Sequence, residues 1–175
     1  MSNIFGDISK FSNTGDYLAI LVASVIVDLI VISYTLSSFA TTKNLKLWYG
    51  KYTFGAVIAD VLSVVIGLII ARFLYPYIFI EWSLWKFIIL AVLVQITHDI
   101  LFYMFFSAIP RGKSGIMDLF KNYASELGGF AIFGDSLIII GTVLIASYLA
   151  NQTLNTNIIL LIVSLYILPY LLYSF

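Results

Sequence analysis

Five stretches of this chain are each long and apolar enough to cross a bilayer, and that leaves few folds open. A transmembrane helix needs about 20 mostly apolar residues. Such runs extend from about Tyr17 to Phe39, Thr53 to Tyr75, Leu84 to Ala108, Gly129 to Ala150 and Asn157 to Tyr173. They are continuous rather than alternating, so helices are expected and not a barrel. Pro76 and Pro110 follow the second and third runs and mark their ends, because proline does not continue a helix comfortably. The chain has 175 residues, of which 62% are hydrophobic and 10% charged, with a mean hydropathy of +1.05. A soluble domain of this length leaves too much surface in water to hide that apolar content. The expected fold class is all-α: a polytopic transmembrane helical bundle of about five spans, forming a single integral membrane domain over residues 1–175.

The connections carry direction. Lys43, Lys46, Lys51, Arg111, Lys113 and Lys121 fall in the loops on one side, against Lys10, Arg72 and Lys86 on the other. The positive-inside rule then puts the N-terminus outside and the C-terminus inside. Asn151-Gln152-Thr153 is a glycosylation sequon on the outer side, expected to be unused so close to the membrane. The opening stretch "MSNIFGDISKFSNTGDY" lacks the basic start of a signal peptide. It reads either as a frayed tail or as an interfacial lead, with Ile4, Phe5, Ile8 and Phe11 on the membrane surface. Between the third and fourth spans, residues 114–127 place Ile116, Leu119, Phe120, Tyr123 and Leu127 at helical spacing. Asp118, Lys121, Asn122, Ser125 and Glu126 take the other face. That pattern predicts a short amphipathic helix at the inner interface, its apolar face on lipid or on a partner protein.

The spans are not purely apolar. Asp28, Asp60, Asp99 and Asp135 sit one each in the first four, and only the fifth lacks an acid. A charge at the bilayer centre costs from about 3 to over 10 kcal/mol. At about 1.5 Å rise per residue, the four lie roughly 9 to 16 Å from the inner ends of their helices. Alternating topology thus brings them to one level. Gln95, His98, Asp99 and Phe102 share a stripe at i, i+3, i+4 and i+7. In the second span Gly55, Ala59, Ser63, Gly67 and Ala71 recur every four residues, a small-residue seam that lets a neighbouring backbone come close. The second span is therefore expected to be central, with the other acids converging around it. Arg72 lies near the outer end, with Glu81 as its expected partner.

Two readings of Asp28, Asp60, Gln95, His98, Asp99 and Asp135 stay open. They form a polar centre that glues helices together, or they handle protons or a cation. His98 beside Asp99 also has the chemistry of a metal ligand, although neighbours in a helix point about 100° apart and do not normally chelate together. The chain has no cysteine, which removes thiolate chemistry and disulfides. No serine–histidine–acid spacing stands out, and "PRGKSG" lacks the strand that precedes a phosphate-binding loop. The chain is read as a non-enzyme, with an intramembrane metal site as the remaining exception. No cofactor is expected beyond a cation held by the carboxylates. The formal net charge is zero, so nothing argues for nucleic acid.

The block "HDILFYMFFSAIPRGKSGIMDLFKNYASELGGFAIFGDS" carries His98-Asp99, the "PRGKSG" loop, "MDLFKNYASELGG" and Asp135-Ser136. Over about Tyr52 to Ala150 it resembles a small multi-spanning membrane protein family of nucleocytoplasmic large DNA (giant) viruses. The resemblance brings no assigned activity or catalytic residue. It implies residence in a viral internal membrane or a host assembly membrane. There a structural protein would meet capsid or membrane-protein neighbours, or further copies of itself, through its basic loops and amphipathic helix. Topology is directly testable. A membrane-impermeant thiol reagent applied from the cytosolic side should label Lys113→Cys and spare Gln152→Cys; the reverse pattern would overturn the orientation.

Overall fold

The computed structural model describes residues 4–37 and 42–173. Among them the chain forms six helices and no strand: α1 (Asp16–Leu36), α2 (Lys43–Ile78), α3 (Leu84–Ala108), α4 (Gly115–Leu127), α5 (Phe130–Leu149) and α6 (Leu154–Leu172). All but α4 are long and apolar enough to cross a membrane. The expected spans thus correspond to α1, the longer part of α2, α3, α5 and α6, and the expected interfacial helix to α4. Residues 38 and 39, the expected end of the first span, lie outside the described residues.

The helices close into a ring. α1 packs against α2 and α5, and α3 packs against the same two. α6 leans on α1 from outside the ring. The four ring helices are the four that carry an intramembrane aspartate, and the acid-free helix is the one left outside. This corrects the expectation that the second span is central. α1 is the most buried of the five. α2 instead turns a ridge of Ile58, Leu62, Ile66 and Ile70 outward, as a helix bordering lipid does. The seam reads differently along its length. Ala71 is fully buried, and a Cβ at Gly67 would meet Gln95 Oε1 at 3.9 Å. At Gly55 nothing lies within 4 Å of that point. A small residue permits a close neighbour without supplying one, and the lower half of this seam has none.

A second departure lies at the start of α2. Thr53 has φ 45° and ψ −119°, a region that favours glycine and strains other residues by about 1–3 kcal/mol. It separates residues 43–52 from residues 54–78. Along an unbroken helix, Trp48 and Asp60 would stand about 18 Å apart. Here Trp48 Nε1 donates to Asp60 Oδ2 at 2.9 Å, so the chain folds back sharply at Thr53. The segment expected to be a lysine-bearing loop is therefore a short helix. Its Leu45, Trp48, Tyr49 and Tyr52 follow i, i+3, i+4, i+7 spacing, and Trp48 and Tyr49 are buried.

At the end of the bundle away from the lysine-bearing segments, residues 4–15 are neither frayed nor helical. They fold onto the bundle. Gly6 N donates to Ser147 O at 2.7 Å, and the Ser147 hydroxyl returns a bond to Gly6 O. Ile8, expected at the membrane surface, is fully buried. Arg72, fully buried, ties this segment down. Its Nη2 donates to Asp16 Oδ2 at 3.1 Å, to Asn13 O at 2.8 Å and to Lys10 O. The guanidinium also sits 4.4 Å from the centre of the Tyr17 ring. The expected partner Glu81 is corrected to Asp16. Glu81 was the acid near in sequence, whereas the chain's return across the bundle end brings Asp16 closer. Breaking a buried pair from one side leaves an uncompensated charge, so Arg72→Met should destabilise the fold by about 3–5 kcal/mol. It should also expose Lys10 to trypsin in detergent. Asp16→Leu with Arg72→Met should recover part of the loss; equal melting temperatures for wild type and Arg72→Met would refute the anchor.

Candidate functional site

The ring encloses a packed half and a hollow half. Towards the N-terminal segment it is filled by Ile20, Ala23, Leu68, Phe87, Ala91 and Val143, all buried in one apolar cluster. Alanines among them let the helices approach closely. Towards the lysine-bearing end lies a cavity of about 870 Å³. Asp28 from α1, Asp60 from α2, Gln95, His98 and Asp99 from α3, and Asp135 from α5 all line it. Gly55, Ala59 and Ser63 form part of its wall, which is why the lower seam meets no neighbouring backbone. α4 forms the floor. Its Ile116, Leu119, Phe120, Tyr123 and Leu127 line the cavity, and the Phe120 ring packs 5.0 Å from Trp48 and 5.1 Å from Phe102. The apolar face of α4, expected on lipid or a partner, is turned onto the bundle itself.

Each acid has a distinct setting. Asp28 accepts from the Tyr49 hydroxyl at 3.0 Å. Its other oxygen, Oδ2, is buried and has no hydrogen-bond partner among the described residues. Asp60 accepts from Trp48 as described. Gln95 Nε2 donates to Asp99 Oδ1 at 2.6 Å, and His98 Nδ1 lies 3.3 Å from the same oxygen. The His98 ring stacks on Phe102 at 5.8 Å. Trp48 and Tyr49 were missed as site residues by sequence reasoning, because the lysines around them suggested a loop. The i, i+3, i+4, i+7 spacing of Leu45, Trp48, Tyr49 and Tyr52 was the signal.

None of Lys43, Lys46, Lys51, Arg111, Lys113 and Lys121 lines the cavity. Lys46 Nζ reaches Ser37 O at 3.3 Å, Arg111 bonds Asn122 Oδ1 at 2.9 Å, and Lys121 donates to Ile109 O. These three side chains bond oxygens outside the cavity and leave its wall without a lysine or arginine. Among the described residues no three of the histidine and acid side chains come close enough to hold one metal ion. The arrangement is that of a hydrophobic chamber with a few fixed acceptors. Its carboxylates can pair with positive charge.

α4 is fastened to the start of α2 by one side chain. Glu126 accepts from the backbone N–H of Lys43 at 2.8 Å and of Asn44 at 3.0 Å, and from Asn44 Nδ2 at 2.7 Å. The first N–H groups of a helix lack partners within it and carry partial positive charge. Thr42, the N-cap residue, offers no side-chain bond, so Glu126 caps that helix from another element.

The fold and cavity together define an integral membrane helical bundle. Neither a family model, nor a curated protein, nor a solved structure matches the chain, so its chemistry rests on this geometry.

The Glu126 cap has a pH signature. Burial works against its charge, but the Asn44 and Lys43 N–H groups outweigh that and hold the carboxyl below its ordinary value. Since the folded value is depressed, the cap contributes fully above the ordinary glutamate pKa and is lost as pH falls through the depressed one. Glu126→Gln should speed hydrogen exchange at Lys43 and Asn44 at neutral pH and remove its acid dependence. Unchanged protection would show that other contacts hold the floor.

Proposed function

We propose that this integral membrane protein takes cations into the inner half of the bilayer at the acid-lined cavity and passes them by exchange or conduction. The observation that carries this reading is that carboxylates from four separate spans line one cavity whose wall contains no lysine or arginine. Intramembrane acids facing a cavity mark ion or substrate pathways. Helix glue requires bonds between helices. Among the described residues the acids make two such side-chain bonds, both to the short helix of residues 43–52: from Tyr49 to Asp28 and from Trp48 to Asp60. The side-chain bonds of Asp99 stay within α3.

A second reading is a structural component of a viral or assembly membrane. Its supports are the resemblance over Tyr52 to Ala150 and the exposed Lys43, Lys51, Arg111 and Lys113, which offer capsid or membrane-protein neighbours a basic face. The two readings separate at Asp99. In liposomes, the purified protein should support proton or alkali-cation flux. Asp99→Asn, which keeps shape and hydrogen-bonding capacity, should abolish that flux with the melting temperature nearly kept. Wild-type protein without flux, or a fully active Asp99→Asn, would leave the structural reading standing alone.

A further inference from the structure

Taking the cation reading as its base, we propose that the cavity is a binding site for lipophilic organic cations. Such a ligand has an aromatic or branched apolar body with a single positive charge and no anionic group. It enters from the bilayer between α1 and α5.

Size leaves room for more than a bare ion. The cavity's volume, about 870 Å³, falls in the range of small-molecule sites, about 300–1,000 Å³. The acids are too far apart for three of them, or two with His98, to hold one metal ion. They are spaced around a body rather than around a point.

Charge decides the sign. Four carboxylates and no lysine or arginine line the cavity. An anion would be repelled, and a phospholipid would bring its phosphate into the same field. Asp28, only 7% exposed, and Thr35, fully buried, both line the cavity. Each carries an oxygen, Oδ2 and Oγ1, with no hydrogen-bond partner among the described residues. A buried acceptor without a partner is costly, and a cation or its N–H group supplies what these two atoms lack.

The walls decide the body. Trp48, Tyr52, Phe102, Phe120, Tyr123 and Phe130 line the same space. Aromatic faces attract a cation within about 6 Å and pack against apolar groups. Such walls suit a ligand whose charge is surrounded by carbon.

The portal decides the route. Ile30 and Tyr34 on α1, with Phe130 and Leu137 on α5, line the cavity yet are 60%, 62%, 78% and 52% exposed. The cavity therefore reaches the flank of the bundle there. Higher up, the two helices touch, where a Cβ on Gly141 would lie 3.7 Å from Val27. An apolar opening on a flank that faces hydrocarbon admits molecules already partitioned into the bilayer.

The test uses the full chain in lipid nanodiscs and two probes of one shape and opposite charge, tetraphenylphosphonium and tetraphenylborate. Empty nanodiscs report partition into lipid. The expected result is saturable binding of tetraphenylphosphonium above that background and none of tetraphenylborate. Asp28→Asn and Asp135→Asn should each weaken binding by about tenfold or more, as loss of one buried charge partner does. Asp28→Asn keeps an acceptor for Tyr49, and among the described residues Asp135 makes no side-chain bond that its replacement would break, so both variants should melt like wild type. A melting curve on each sample checks this. No saturable phosphonium binding, equal binding of the borate, or full binding by both folded variants overturns the proposal. If phosphonium binding is absent while flux is still lost in Asp99→Asn, the organic-cation inference alone falls. If flux is absent as well, the cation reading falls with it.

Discussion

Hydrocarbon cannot solvate a carboxylate, and the arrangement of the helices follows from that. Each intramembrane aspartate would cost from about 3 to over 10 kcal/mol facing lipid. Four spans carry one each, and all four belong to the closed ring of α1, α2, α3 and α5. A ring is the simplest arrangement in which every acid-bearing helix has an inside to turn towards. α6, which has no acid, has no such requirement and packs on the outer flank of α1. The outward ridge of α2 shows the same rule from the other side, since its branched apolar side chains meet lipid without cost.

The ring is filled unequally, and the two halves differ in what holds them. Near the N-terminal segment, alanines on α1, α2, α3 and α5 bring the backbones together around Leu68 and Phe87. Arg72 then holds residues 4–15 over that end with three oxygen acceptors. At the opposite end the ring widens around the acids. It is closed not by a tighter approach of the spans but by two added short helices, residues 43–52 and α4. Aromatic contacts of Trp48, Phe102 and Phe120 join them to the spans, and Glu126 joins them to each other. A packed upper half and a hollow, floored lower half give the cavity one level and one set of walls. Dense packing confers rigidity, whereas a floor held by a few polar bonds opens locally at lower cost.

The apolar runs determined by themselves that the chain would be a helical membrane bundle, because a bilayer satisfies backbone groups only in helices or closed barrels. The positions of Asp28, Asp60, Asp99 and Asp135 along those runs led to the expectation of a common level, because helical rise is constant, and all four line one cavity. Both properties are local, and the first is the fold the chain adopts. Arg72's partner, the fold-back at Thr53 and the identity of the most buried helix were not legible in the sequence. Asp16 lies 56 residues from Arg72, and no periodicity links them. Thr53 takes a backbone conformation that its residue type disfavours, a strain sustained by the bonds of Trp48 and Tyr49 on the far side of the turn. The small-residue seam on α2 stated where a neighbour could approach. Whether that space held a helix or a cavity was decided only when the other three helices took their places, since packing is a property of all the surfaces that meet.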